Sequence, residues 1–181
     1  LPAELKQEYM QAYGLPEYDA RLISDDKPTA NYYNAIVAHT KNYKAASNWL
    51  LGPIKNYLNE SGKEIEAFHL KPNAIADIIA IIDEGKTNFS VCSTHIFPAL
   101  LQSPDKHPLK IAEELNLLQN SDEDLIGSIV QEVLASMPEK VAEYKAGKKG
   151  LIGLFVGETM KRSQGKADPK VVNKLIATAL A

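Results

Sequence analysis

Residues 121–134 read SDEDLIGSIVQEVL, and their apolar side chains recur at every third or fourth position. This spacing places them along one face of an α-helix, where they form a stripe that packs against a core. The pattern returns near the end of the chain, where residues 168–180 read DPKVVNKLIATAL. Because short connections join these amphipathic helices, they predict a small antiparallel helical bundle.

Start and stop signals extend the helical pattern over the rest of the chain. Ser121 is followed three residues later by Asp124, in the manner of a capping box, and Asp168 precedes a first-turn proline. Pro53 falls inside a predicted helix, so a kink is expected there. Strand signals are scarce. The sequence predicts an all-α protein, with a helical domain over residues 1–118 and a small helical-bundle tail domain over residues 121–181.

Composition limits the class of protein. Hydrophobic residues make up 45% and charged residues 24%, which is ordinary for a soluble globular protein. An apolar run long enough for a membrane span is absent, so we expect no membrane partner. A single cysteine, Cys92, excludes an intramolecular disulfide and favours a cytoplasmic location. Because the first residue is Leu1, we expect the chain to be cut from a longer one.

The net charge of −3 hides a division along the chain. Residues 1–137 carry 11 basic and 19 acidic side chains, a net charge of −8, whereas residues 138–181 carry 9 and 4, a net charge of +5. Such asymmetry is typical of a chain with one end facing a polyanion, although a solvated lysine face is the alternative. Few aromatic residues accompany the cations, which favours recognition of phosphates and shape over base stacking. The candidate RNA-binding residues are Lys145, Lys148, Lys149, Lys161, Arg162, Lys166, Lys170 and Lys174.

Catalytic and metal-binding patterns are missing from the sequence. The four histidines are widely separated, none stands at helical spacing from a second ligand, and Cys92 lies in an apolar helix. We therefore predict no catalytic residue and no metal site. Gly147 is followed by two lysines without the serine or threonine of a phosphate loop. Gly150, Gly153 and Gly157 instead share a helix face, which predicts close packing of a neighbouring helix or, alternatively, approach of an RNA backbone.

Three stretches, in the right order, resemble the C-terminal half of the amidotransferase B subunit, which carries the GatB/YqeY-type domain. Pro53, Pro98 and Lys71 depart from its pattern and affect local helix geometry. The similar stretches are residues 13–20 (YGLPEYDA), 46–52 (ASNWLLG) and 150–173, which includes GLIGLFVGETMK and GKADPKVVN.

The resemblance implies a function. The intact subunit phosphorylates glutamate or aspartate misacylated onto tRNA(Gln) or tRNA(Asn), using ATP and magnesium, and ammonia from the A subunit then gives the amide. The family's catalytic domain lies upstream, so we expect this chain to hold no cofactor and to be inactive alone. Its tail is expected to meet the outer corner of the tRNA, around the D-loop. The alternative is a module that docks the A and C subunits without touching tRNA.

Overall fold

The computed structural model describes residues 1–181, and it confirms the all-α fold class. No β-strand is present, only one parallel bridge between Asn120 and Ala167. None of the helices combines the length and the apolar character that a membrane span requires. The α-helices in chain order are α1 (Pro2–Gln11), α2 (Glu17–Ser24), α3 (Lys27–Val37), α4 (Tyr43–Trp49), α5 (Lys55–Ser61), α6 (Pro72–Asp83), α7 (Phe89–Val91), α8 (Phe97–Gln102), α9 (Pro108–Glu114), α10 (Glu123–Ser136), α11 (Pro138–Lys145), α12 (Ile152–Arg162) and α13 (Pro169–Leu180).

The chain forms two compact units. The first contains residues 1–84 and 89–115, and the second contains residues 85–88 and 116–181. Two hydrogen bonds join residues 85–88 to the rest of the second unit. The Gln119 N–H donates to the Lys86 carbonyl at 2.7 Å, and the Ser121 hydroxyl donates to the Gly85 carbonyl at 3.1 Å. No sequence pattern indicates that residues 85–88 belong to the second unit. The domain limits of 1–118 and 121–181 stay a prediction.

The first unit is built around α6. Its residues Ala74, Ile75, Ala76, Ile78, Ile79 and Ile81 are all buried, and the helix packs against α3, α4 and α9. A helix that is apolar around most of its circumference lies inside a core. Trp49 closes the same core and is 1% exposed, with its ring centroid 5.1 Å from Phe89 and 5.7 Å from Phe97.

The two prolines that depart from the family pattern lie within or just after π-helical turns. Leu50–Ile54 contains Pro53, and Cys92–Ile96 ends two residues before Pro98. The Lys55 N–H donates to the Gly52 and Leu50 carbonyls, three and five residues back, and Pro53 has no N–H to donate to the Trp49 carbonyl. The kink that the sequence predicts at Pro53 therefore takes the form of a widened turn.

Of the two helix caps that the sequence predicts, one is confirmed and one is corrected. Asp26 accepts from the Thr29 N–H to begin α3, and Asp168 accepts from the Lys170 N–H to begin α13. The predicted cap at Ser121 is wrong, because Asp122 caps α10 by accepting from the N–H groups of Asp124 and Leu125. The Ser121 hydroxyl donates to Gly85 instead.

The second unit is a bundle of α10, α12 and α13, each in contact with the other two. Its core receives the stripes that the sequence identifies, and partly buried side chains of α11 pack against it. The helix faces turned away from this core carry the charged residues. The buried side chains of the core are Ile126, Val130, Phe155, Ala167, Val172, Ile176 and Leu180.

Candidate nucleic-acid interface

Helix α12 has one buried face and one open face. Phe155 and Thr159 are fully buried, and the Thr159 hydroxyl donates to the Phe155 carbonyl at 2.8 Å. On the opposite side Gly153, Gly157 and Lys161 follow one another at intervals of four residues and are all exposed. We call these three residues the open face of α12. Leu154, which is 43% exposed, borders it.

The glycines of α12 do not serve packing inside this chain. A Cβ atom added at Gly150, Gly153 or Gly157 meets no other atom within 4 Å. The predicted close approach of a neighbouring helix is therefore wrong within this molecule. Glycine in a helix interior costs about 1 kcal/mol relative to alanine. The alternative, direct approach of an RNA backbone, stays a prediction.

One group of candidate cations lies before α12. Lys145 ends α11, and Lys148 and Lys149 lie in the turn that leads into α12; all three are exposed. The ammonium group of Lys149 sits 4.3 Å from the centroid of the Tyr144 ring, a cation–π contact. The Tyr144 ring in turn meets Phe155 edge-on at 6.2 Å between centroids. Lys149 thus has an aromatic partner, whereas Lys145 and Lys148 form no ion pair.

A second group lies at the far end of α12. Lys161 is exposed, Lys166 is half-buried, and neither forms an ion pair. Arg162 is different, because its Nε donates to Glu158 Oε1 at 3.3 Å and its Nη2 donates to Ser136 Oγ at 3.1 Å. The two groups lie toward opposite ends of α12, whose 11 residues span about 16 Å.

The remaining candidates lie on α13. Lys170 and Lys174 share one face at helical spacing, as the sequence predicts, and both are exposed. Lys174 Nζ forms an ion pair with Glu123 Oε1 at 3.0 Å, at the first turn of α10. Lys170 forms no ion pair. Its charge is therefore free, while that of Lys174 is partly neutralised within the unit.

The structure thus separates the eight candidates into three classes. Arg162 and Lys174 have acidic partners inside the second unit, and Lys149 rests on an aromatic ring. Such a set can bind phosphates but offers no nucleophile or acid–base pair. No group of three or more His, Cys, Asp or Glu side chains is positioned to hold a metal. The cations without an ion pair or ring contact are Lys145, Lys148, Lys161, Lys166 and Lys170.

Sequence reasoning missed the partners of these cations. Glu158 stands four residues before Arg162, and that spacing is a readable signal of an ion pair. Glu123 lies 51 residues from Lys174, and Ser136 lies 26 residues from Arg162. Only the packing of α10 against α12 and α13 brings those pairs together, so no local pattern reveals them.

Comparison with known proteins shows which sequences resemble this chain. The sequence model of a family described as GatB domain matches residues 31–180. The B subunit of the aspartyl/glutamyl-tRNA(Asn/Gln) amidotransferase of Synechococcus sp. (strain JA-2-3B'a(2-13)) is 39% identical over 176 residues, covering 97% of this chain and 36% of that protein. The B subunits of the enzymes of the same name from Caldicellulosiruptor bescii and Thermotoga maritima are each 37% identical, covering 99% of this chain and 38% and 37% of those proteins. The chain spans little more than a third of the length of these relatives.

Proposed function

Since the chain belongs to the GatB domain family of amidotransferase B subunits, we propose that its second unit holds tRNA for such an enzyme. The proposed partner is tRNA(Gln) or tRNA(Asn) carrying the wrong amino acid, which the whole enzyme converts to the amide. The role of this chain is to grip the folded RNA so that the distant acceptor end is placed for reaction. Positioning of that kind contributes to rate without any local chemistry.

The observation that carries this proposal is the surroundings of the open face of α12. Free cations stand at both ends of a helix whose outward glycines leave the backbone uncovered. A phosphate backbone needs cations together with close access, and both are available along about 16 Å of helix. The N-terminal end of α12 adds a positive helix-dipole charge beside Lys148 and Lys149.

Under this proposal the chemistry belongs to other parts of the enzyme. We assign ATP, magnesium and the phosphorylation of the misacylated residue to the remainder of the subunit, and ammonia supply to the A subunit. ATP hydrolysis by the purified chain, with rates above a mock preparation, would contradict this assignment.

The test is tRNA binding over a salt series. Replacing Lys145, Lys148, Lys161, Lys166 and Lys170 with glutamine removes five free charges. Each lost phosphate contact flattens the slope of log affinity against log salt by about 0.7 to 0.9. We expect the five-residue variant to have a slope smaller by about 3 to 5 and a strongly reduced affinity for a tRNA(Gln) transcript.

The first unit offers a matched control. It also carries exposed lysines without ion pairs, so removing them changes the net charge by the same amount. If this control variant loses as much affinity as the test variant, binding follows total charge and the proposed surface is wrong. The control lysines are Lys27, Lys41, Lys55, Lys71 and Lys110.

One feature favours the alternative of subunit docking. A groove of about 530 Å³ in the first unit is lined by both π-helical segments, and Phe89, which is 45% exposed, lies at its edge. Exposed aromatic side chains beside a groove are typical of protein interfaces. Docking of the A or C subunit there is compatible with tRNA binding by the second unit. Co-elution of the chain with those subunits, lost in a Phe89→Ser variant, is the expected result.

A further inference from the structure

Arg162 ties two helices of the second unit together. Its guanidinium donates to Glu158 Oε1 at 3.3 Å, one turn back on α12, and to Ser136 Oγ at 3.1 Å, at the last residue of α10. The Ser136 hydroxyl donates its own proton to the Val133 carbonyl at 2.7 Å. A continuous chain of hydrogen bonds therefore runs from α12 into the last turn of α10.

The neighbouring lysine has a different environment. Lys161 precedes Arg162 in sequence, lies on the open face of α12 and forms no ion pair. The Arg162 and Glu158 side chains are 34% and 27% exposed, so this pair is partly shielded from water. A phosphate that took the side-on fork of Arg162, formed by Nε and Nη2, would displace the Glu158 and Ser136 contacts that these two atoms already make.

We infer that Arg162 is a positioning residue, which fixes α12 against α10 and is not itself a phosphate ligand. The inference rests on the proposed function, because what Arg162 positions is the open face that meets tRNA. Loss of the tie lets the end of α12 move, which weakens every contact on that face without removing a charge from it. Arg162 thereby differs from Lys161, whose ammonium group is available to a phosphate.

The experiment separates position from charge. Ser136→Ala removes the acceptor on α10 and leaves all charges unchanged, and Arg162→Lys keeps the charge but loses the fork. Lys161→Gln is the comparison that removes a free charge. For each variant of the 181-residue chain, the affinity for a tRNA(Gln) transcript is measured over a salt series, and thermal unfolding is measured without RNA.

We expect Ser136→Ala and Arg162→Lys each to weaken binding about threefold at an unchanged salt slope, whereas Lys161→Gln flattens the slope by about 0.7 to 0.9. The double variant, Ser136→Ala with Arg162→Lys, is expected to bind no more weakly than either single variant, because both substitutions break the same contact. Arg162→Lys and Ser136→Ala also lower the unfolding midpoint by about 2 to 4 °C, with the same lack of additivity.

Two results would overturn the inference. The first is that Ser136→Ala and Arg162→Lys bind tRNA as tightly as the wild type, while a further variant, Arg162→Gln, flattens the salt slope as Lys161→Gln does. Arg162 would then be a phosphate ligand. The other is an unfolding midpoint that neither tie variant changes, because then no tie exists even when tRNA binding is intact. Failure of the wild-type chain to bind tRNA would overturn the proposed function and with it the RNA role of Arg162. The non-additive change in the unfolding midpoint would still show whether Arg162 and Ser136 connect the two helices.

Discussion

At the scale of the residue, the buried tyrosines of the first unit have the most perturbed acid–base chemistry. Burial, helped by the nearby Glu8 carboxylate, raises the pKa of Tyr9 from its ordinary value of 10.0 to about 12. Burial likewise raises the pKa of Tyr33, whose hydroxyl donates to the Tyr43 carbonyl at 3.0 Å. These rings pack against each other with centroids 5.0 Å apart, so the ionised form of either has little access to water.

A prediction for alkaline stability follows from the direction of these shifts. A tyrosine with a raised pKa in the folded state keeps its proton there more tightly than in the unfolded chain. The stabilisation is complete below pH 10 and is lost as the pH rises from 10 through 12. We expect urea unfolding midpoints to fall steeply over that range, and to fall less steeply in Tyr9→Phe. Equal steepness in the two proteins would exclude Tyr9 as a source of the loss.

At the scale of the element, one substitution in α12 is expected to change the free energy of unfolding and the tRNA affinity in opposite directions. Gly157 lies in the helix interior and a Cβ there meets nothing within 4 Å, so Gly157→Ala should raise the free energy of unfolding by about 1 kcal/mol. The added methyl group projects from the open face, and we expect it to weaken tRNA affinity about threefold to tenfold. Calorimetry and a binding titration measure the two effects on one variant.

Helix α10 supplies the control for that experiment. Gly127 is also helical and has equally open surroundings, so Gly127→Ala brings the same gain in helix propensity. It lies outside the open face, and its tRNA affinity should match that of the wild type. Equal loss of affinity in both alanine variants would mean that rigidity of the unit, not access to the α12 backbone, governs binding.

The elements also show what local sequence can and cannot decide. Apolar spacing predicts α10 and α13, and the cap at Asp168 is confirmed, because both depend on contacts within a few residues. The run from 121 to 124 offers several side chains able to cap a helix, so the choice of Asp122 over Ser121 depends on Gly85, which is distant in sequence. The exposure of the α12 glycines depends on where other helices pack, which spacing alone does not contain.

The partners of the candidate cations illustrate the same limit. The i, i+4 pair of Glu158 and Arg162 can be read from the sequence, but Ser136 and Glu123 reach their cations only through helix packing. Charge counting therefore identifies which region of the chain is basic. It does not distinguish a cation that is free to meet a phosphate from one that already holds two helices together.

At the scale of the whole molecule, one short segment from within the sequence of the first unit belongs to the second unit. Residues 85–88 lie in sequence between α6 and α7 of the first unit but pack with the second. A fragment of residues 116–181 lacks them, and so loses the acceptors of the Gln119 N–H and the Ser121 hydroxyl. Because each such hydrogen bond contributes about 0.5 to 1.5 kcal/mol, we expect this fragment to be less stable than the same residues in the full chain by about 1 to 3 kcal/mol.

Hydrogen exchange measures that difference at named amides. Protection of Val172 and Ile176, in the core of the second unit, should fall in the fragment and return when residues 84–90 are joined to its N-terminus by a flexible glycine–serine linker. Ser121→Ala in the full chain should reproduce part of the loss. Unchanged protection in the bare fragment would mean that residues 85–88 are held by the second unit without stabilising it. The cations of α12 and α13 would then rest on a bundle that needs nothing from the rest of the chain.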